Sequence, residues 1–154
     1  MPKKHNSKQK PDTAYERAVQ LLARREHSQK ELERKLLLKD FCIEDITPAI
    51  KRLADRGWQS DTRFTESWIR HRTQSGHGPQ RIQQELAEKG VERSIVELAF
   101  DKCEVDWFER AKDVWFKKYN EVPDSWPEKA KQIRFLMYRG FNMDHINFVF
   151  EQVK

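Results

Sequence analysis

No run of this chain is apolar for long enough to cross a bilayer, and Met1 to Lys10 is polar with no apolar segment behind it. A spanning helix needs about 20 consecutive apolar residues, and a secretory leader needs an apolar stretch after its basic start. Neither is present, so a cytoplasmic protein is expected. Cysteine is scarce. Cys42 and Cys103 have no second cysteine nearby and no histidine at finger spacing, so neither a zinc site nor a redox pair is expected, and both read as buried free thiols in apolar helical surroundings. Glycine is scarcer than in loop-rich proteins, at five residues, and none of it forms a phosphate-cradling loop, which argues against nucleotide hydrolysis. His71 and His77 are separated by a glycine break, with no carboxylate at ligand spacing to complete a metal site. With no nucleophile beside a base and no paired acid and base, the sequence offers no catalytic residue, no metal and no cofactor. Asp106 and Glu109 are explained as acidic residues at a helix start.

Apolar material is also limited: hydrophobic residues make up 37% and charged residues 36%. Mean hydropathy is −0.96. Such a chain is poorly supplied for one large spherical core and better suited to several thin cores in a row. The net charge of +5 is unevenly spread. Lys3, Lys4, Lys8 and Lys10 against Asp12 give residues 1–12 a charge of +3, leaving +2 for the remainder. Residues 1–12 therefore read as a disordered basic tail, and the rest as a mixed-charge surface on which phosphate affinity has to come from local patches.

What the chain does contain is a period. An offset of fifty residues superimposes Leu36, Leu86 and Leu136, then Lys39, Lys89 and Arg139, then Phe41, Val91 and Phe141. The match continues through Ile46, Val96 and Ile146 to Ile50, Phe100 and Phe150. Apolar positions and the basic-then-turn punctuation agree together, which marks three copies of one supersecondary unit. No stretch alternates with period two for long enough to make a strand. The expected fold is all-α: three tandem three-helix repeats forming an elongated, curved array, over 13–60, 61–105 and 106–154.

Local signals place the helices. In the first repeat Thr13 is a candidate N-cap, and Ser28 with Glu31 forms a capping box ahead of Leu32 and Leu36. A third helix from about Glu44 to Arg56 points Ile43, Ile46, Ile50 and Leu53 inward, with Pro48 in its first turn and Gly57 as a left-handed cap. In the second repeat Asp61 caps a helix bearing Phe64, Trp68 and Ile69, Gly76 ends it, and Pro79 opens the next helix, to about Lys89. A helix over about Glu92 to Glu104 presents Ile95, Leu98 and Ala99. The third repeat runs from Trp107 through Trp115 and Tyr119, breaks over Asn120 to Pro127, resumes with Ile133, Leu136 and Met137, stops at Gly140 and ends on Ile146, Val149 and Phe150.

Arginine beside aromatic and apolar residues is the recurring surface chemistry. From Arg63 to Arg81 the charges are Arg63, Arg70, Arg72 and Arg81 against Glu66, a local +3, and Arg63 and Arg70 share a helix face. Arg24, Arg25, Lys30, Arg34 and Lys35 cluster in the first repeat, and Lys129, Lys131, Arg134 and Arg139 in the third. Guanidinium forks suit carboxylates or phosphates, so these clusters fit an acidic protein surface or a nucleic-acid backbone. Pairing with glutamates of neighbouring helices accounts for any single one equally well. The candidate partner- or DNA-binding residues are Arg24, Arg25, Arg34, Lys35, Arg63, Arg70, Arg72, Arg81, Lys131, Arg134 and Arg139.

Several segments, taken in order, resemble the RecX family, bacterial regulators of the RecA recombinase. They are Leu21-Leu22-Ala23-Arg24-Arg25-Glu26-His27-Ser28 with Glu31-Leu32, Asp61-Thr62-Arg63-Phe64, and Gly76-His77-Gly78-Pro79 with Ile82, Glu85-Leu86 and Lys89-Gly90. Arg134-Phe135-Leu136 with Arg139-Gly140-Phe141 completes the set, which spans Ala14 to about Val149. The chain departs from the family pattern at Gln59, where an aliphatic is usual, at Thr65, where alanine is common, and at His77, where an aromatic usually stands between the glycines.

The resemblance implies tandem three-helix repeats and a non-enzymatic negative regulator that binds the groove of the RecA–DNA nucleoprotein filament; a monomer is expected. It further implies inhibition of the ATPase, strand-exchange and coprotease activities, and so a place in homologous recombination, DNA repair and the SOS response. Weaker contact with single- or double-stranded DNA is expected alongside. The alternative is an autonomous DNA-binding protein that uses basic helical faces, as helix-turn-helix modules do. A body of only +2 with interspersed glutamates favours a mainly protein partner.

Overall fold

The computed structural model describes residues 13–154, so the expected basic tail lies outside the described residues. Among these there are nine helices and no strand: α1 (Ala14–Arg24), α2 (Gln29–Leu38), α3 (Ile43–Asp55), α4 (Asp61–Gln74), α5 (Pro79–Glu88), α6 (Arg93–Lys102), α7 (Trp107–Lys118), α8 (Trp126–Arg139) and α9 (Met143–Gln152). The chain divides into two compact units within α4, between Phe64 and Thr65.

The fifty-residue period is built into the backbone. Leu36, Leu86 and Leu136 are each fully buried. Their carbonyls accept from the N–H groups of Phe41, Val91 and Phe141 at 3.2, 3.2 and 3.1 Å. The residue just before each of those donors is left-handed: Asp40, Gly90 and Gly140 have φ of 66°, 74° and 103°. This six-to-one closure satisfies orphan carbonyls at a helix end and turns the chain toward the next helix. That helix then begins in register, with Ile46, Val96 and Ile146 donating to the carbonyls of Cys42, Glu92 and Asn142.

In the first unit, Ala14, Ala18, Leu32, Leu36, Ile46 and Leu53 form the core between α1, α2 and α3. Thr13 caps α1, and Ser28 and Glu31 form the expected capping box on α2. In the second unit, Ala111, Trp115, Leu136, Phe141, Ile146 and Val149 form the core between α7, α8 and α9. Trp115 is only 2% exposed, and its indole N–H donates to Gln132 Oε1 at 2.7 Å, which satisfies the polar end of a large buried ring.

Several local expectations are corrected. Ser60, not Asp61, caps α4: its hydroxyl accepts from Arg63 N–H at 3.1 Å and its carbonyl from Phe64 N–H at 3.0 Å. The Asp61 carboxylate instead accepts from the N–H of Gln29, the first residue of α2, at 2.9 Å. Cys42 is exposed, because it takes the N-cap position of α3, and its thiol donates to Asp45 Oδ2 at 3.0 Å, which raises its pKa. Cys103 is half-buried at the end of α6, and burial raises its thiol pKa as well. Since α3 starts at Ile43, Pro48 falls in its second turn, and Ile43 is 41% exposed ahead of the buried stripe. Leu98 and Met137 are also exposed, and Val96 takes the inward place beside Ala99.

Candidate partner-binding surface

Five of the basic residues singled out in the sequence are built into the fold. In the first unit Arg25 meets the buried carboxylate of Glu31 through both fork nitrogens, at 3.2 and 2.9 Å, and Arg63 reaches Glu26 at 3.1 Å. In the second unit Glu85 is a hub. Arg72 grips it with two hydrogen bonds of 2.9 and 2.7 Å, Trp68 donates to it at 3.2 Å, and Arg81 stands 3.8 Å away. Trp68 is flanked by cations, with Lys89 Nζ 4.5 Å and the Arg72 guanidinium 5.7 Å from its ring centre. Arg81 donates to the Tyr138 carbonyl at 3.1 Å and stacks 4.8 Å over the Tyr138 ring. Arg139 donates to the Ser75 carbonyl at 3.1 Å and stacks 5.2 Å over Phe135.

The contacts of Arg81 and Arg139 flank an interlock between α5 and α8. The N–H groups at the start of α5 have no partners within their own helix, and Gly78 has no side chain to cap them. The end of α8 supplies the acceptors: Gly78 N–H donates to Arg139 O at 2.7 Å and Gln80 N–H to Gly140 O at 3.0 Å. So close an approach needs bare backbone on both sides. A Cβ on Gly78 would lie 2.5 Å from the Gly140 carbonyl, and one on Gly140 would collide with Arg81 Cβ. Gly78 of Gly76-His77-Gly78-Pro79, legible in the sequence only as punctuation, is the contact surface itself.

Lys35 is also engaged. His27 is buried, with Nδ1 3.0 Å from the Arg25 carbonyl and Nε2 2.9 Å from Lys35 Nζ. A nitrogen facing a carbonyl has to donate, so Nε2 is the acceptor for the lysine ammonium and the ring is neutral. Burial lowers the His27 pKa, and the charges of Arg25 and Lys35 lower it further. His77 is lowered by burial and then by Arg72, Arg139 and Arg81. The two departures at Gln59 and His77 thus have opposite characters. Gln59 is buried and bonded to the His27 carbonyl at 3.2 Å and Asp61 at 2.8 Å, whereas His77 Nδ1 is enclosed with no hydrogen-bond partner among the described residues.

Arg24, Arg34, Lys131 and Arg134 remain on the exposed surface. So does Arg70, and it stands on the rim of a groove of about 400 Å³ between α4 and α6. Ile69, Ala99 and Val105 give this groove an apolar floor, while Glu66, Arg70 and Lys102 bring charge to its edge. An apolar floor with a charged rim is the anatomy of a protein-binding surface. Lys102 was missed in the sequence because nothing nearby in the chain marks it; only the fold brings it to the groove that Arg70 borders. Among the described residues no group of His, Cys, Asp and Glu could hold a metal ion, and no helix is long and apolar enough to cross a membrane.

Models of the first, second and third three-helix domains of RecX match residues 14–53, 60–99 and 104–150 in that order. A regulatory protein RecX from Pseudomonas fluorescens is 45% identical over 131 residues, 84% of each chain. One from Pseudomonas putida is 48% identical over 130 residues, 84% of this chain and 83% of the relative. Among solved structures, the crystal structure of RecX from Lactobacillus salivarius superimposes with a TM-score of 0.76 at 26% identity, covering 91% of this chain and 94% of the other.

Proposed function

The chain belongs to the RecX family, and on that premise we propose that it is a non-enzymatic negative regulator of the RecA recombinase, acting on the RecA–DNA filament. The observation that carries this reading is the ordered match of all three RecX domains from residue 14 to residue 150, with curated relatives covered over more than four-fifths of their length. The protein acts by occupancy. Bound in the filament groove, it obstructs the protomer movement needed for ATP turnover and the space needed by duplex and coprotease substrates. A tandem array that touches several protomers gains from multivalency, so modest contacts in each repeat are enough.

The Arg70 groove is the surface best suited to the protein side of that contact. It combines apolar area with an arginine that forms no ion pair among the described residues, and apolar area with arginine is the composition of energetic centres in interfaces. The test is RecA-catalysed ATP hydrolysis on single-stranded DNA, with this protein titrated in before or after filament assembly. Hydrolysis should fall in both orders of addition, and Arg70→Glu should raise the concentration needed by about tenfold or more, the equivalent of about 1.4 kcal/mol. Unchanged hydrolysis at saturating protein in both orders would remove RecA as the target. Full inhibition by Arg70→Glu at the parent concentration would remove the groove.

A further inference from the structure

The turn from α4 into α5 holds an imidazole whose position neither the core nor the interlock requires. His77 N–H donates to the Arg72 carbonyl at 3.0 Å and closes the end of α4, and the next residue, Gly78, makes the 2.7 Å bond to Arg139 O that joins α5 to α8. The ring is thus tethered one residue from the interlock, with its Nδ1 enclosed and without a hydrogen-bond partner among the described residues. We propose that His77 is an acid-sensitive latch: uncharged, it lets α5 and α8 close on each other; protonated, it releases the Gly78 and Gln80 hydrogen bonds and opens the junction between the second and third repeats.

The charges that face the ring set the direction. α4 brings Arg72, α5 brings Arg81 and Glu85, and α8 brings Arg139. Glu85 is already engaged, by Arg72 through two bonds of 2.9 and 2.7 Å and by Arg81 at 3.8 Å. Arg139 has no carboxylate partner among the described residues; its Nη1 lies against Gly76 and donates to the Ser75 carbonyl at 3.1 Å. α7 meets the same end of α4 and brings Arg110, which donates to the Thr73 carbonyl at 2.8 Å, with Asp113 3.5 Å from the arginine. Three guanidiniums therefore meet the ring against one occupied carboxylate, and an imidazolium would be a fourth cation among them.

Hydrogen bonding points the same way. A neutral imidazole has one donor and can leave Nδ1 as a bare acceptor, whereas an imidazolium donates from both nitrogens. An enclosed Nδ1–H would then need an acceptor, and none stands beside it among the described residues. An unpaired, charged donor away from water is strongly unfavourable. Opening the junction admits water to Nδ1 and draws Arg139 away from the ring, which relieves both penalties at once. Burial, then Arg72, Arg139 and Arg81, accordingly lower the His77 pKa from 6.5. The opened form recovers the ordinary value, so below it the opened form binds the extra proton and closure weakens, by at most about tenfold per pH unit for one proton. The latch concerns the junction alone and does not rest on the RecA reading.

The test is amide hydrogen exchange of the full-length protein followed by NMR between about pH 7.5 and pH 5.5, each rate taken relative to the intrinsic rate at that pH. Protection of the Gly78 and Gln80 N–H groups should fall several-fold on acidification. The indole N–H of Trp115, bonded to Gln132 in the core of the same unit, reports opening of that unit as a whole and should lose less. His77→Phe puts an uncharged ring in the turn; it should keep the protection found at the higher pH and abolish the fall. In the parent, the ring signals of His77 should titrate below pH 6.5. A loss that Trp115 matches would be unfolding of the whole unit, and a fall that persists in His77→Phe would belong to another group; either result overturns the proposal. So does a His77 ring that titrates at or above pH 6.5, a measurement that stands even where His77→Phe fails to fold. None of these readouts involves RecA, so failure here leaves the proposed regulation of RecA standing.

Discussion

A Cβ placed on Gly78 would lie 2.5 Å from both the carbonyl carbon and the carbonyl oxygen of Gly140, and 2.7 Å from the N–H nitrogen of Phe141. These are backbone atoms fixed by the end of α8, so no side chain can swing away to make room. Gly78→Ala should separate α5 from α8 and destabilise the protein by about 1–3 kcal/mol, the range for an overpacked site. Urea unfolding measures it, and an unchanged midpoint would mean that the two helix ends are not locked together in solution.

The repeat register makes a second prediction. Leu86 is fully buried and its carbonyl closes the turn onto Val91. Leu86→Ala should cost about 2–5 kcal/mol by thermal or chemical unfolding. A loss below about 0.5 kcal/mol, ordinary for an exposed site, would show that this position is not a core position of its repeat.

Arg72 and Glu85 form a bidentate pair whose side chains are 19% and 18% exposed. Arg72→Ala leaves the half-buried carboxylate with Trp68 and the more distant Arg81, and should destabilise the chain by about 1–3 kcal/mol. In a double-mutant cycle with Glu85→Gln, the two losses should fall well short of adding. Additive losses would mean that the pair does not interact. Arg70, which has no such partner among the described residues, should tolerate the same substitution with little change in stability.

Three histidines make stability depend on pH. Burial lowers the pKa of His27, His77 and His145 from the ordinary 6.5. Between that value and the lowered ones the unfolded chain binds more protons than the folded chain, so stability is lost as pH falls below about 6.5. His27 contributes because protonation would set a cation against Lys35 Nζ, 2.9 Å away. The urea midpoint should therefore drop between about pH 7.5 and pH 5, and the drop should be smaller in His27→Gln. A midpoint that rises on acidification would contradict this account.

The periodic part of the fold was legible because it rests on local rules. Leu, a basic residue, a turn and an apolar residue recur at fixed spacing, and each copy closes with the same hydrogen bond. Stripe edges were less legible: helical spacing tells which residues share a face but not how wide the buried face is. Ile43, Leu98 and Met137 fell outside it for that reason. Ser60 and Asp61 are both good caps, and only the proximity of Gln29 decides which one serves α4. The arginine contacts were hidden more deeply. Arg81 with Tyr138 and Arg139 with Ser75 join residues 57 and 64 positions apart, beyond the reach of any spacing rule.

The junction of α5 with α8 also means that the repeats are not interchangeable parts. The middle one starts α5 with a bare glycine and completes it with carbonyls from the one that follows. A fragment ending after α6 would expose those donors to water and lose the partner that holds α5 in place. A copy inserted between α6 and α7 would have to end its second helix in the same left-handed glycine to fill the role of Gly140. The succession of the second and third repeats is thereby set by two helix ends, even though the sequence period alone would allow the two to be separated or exchanged.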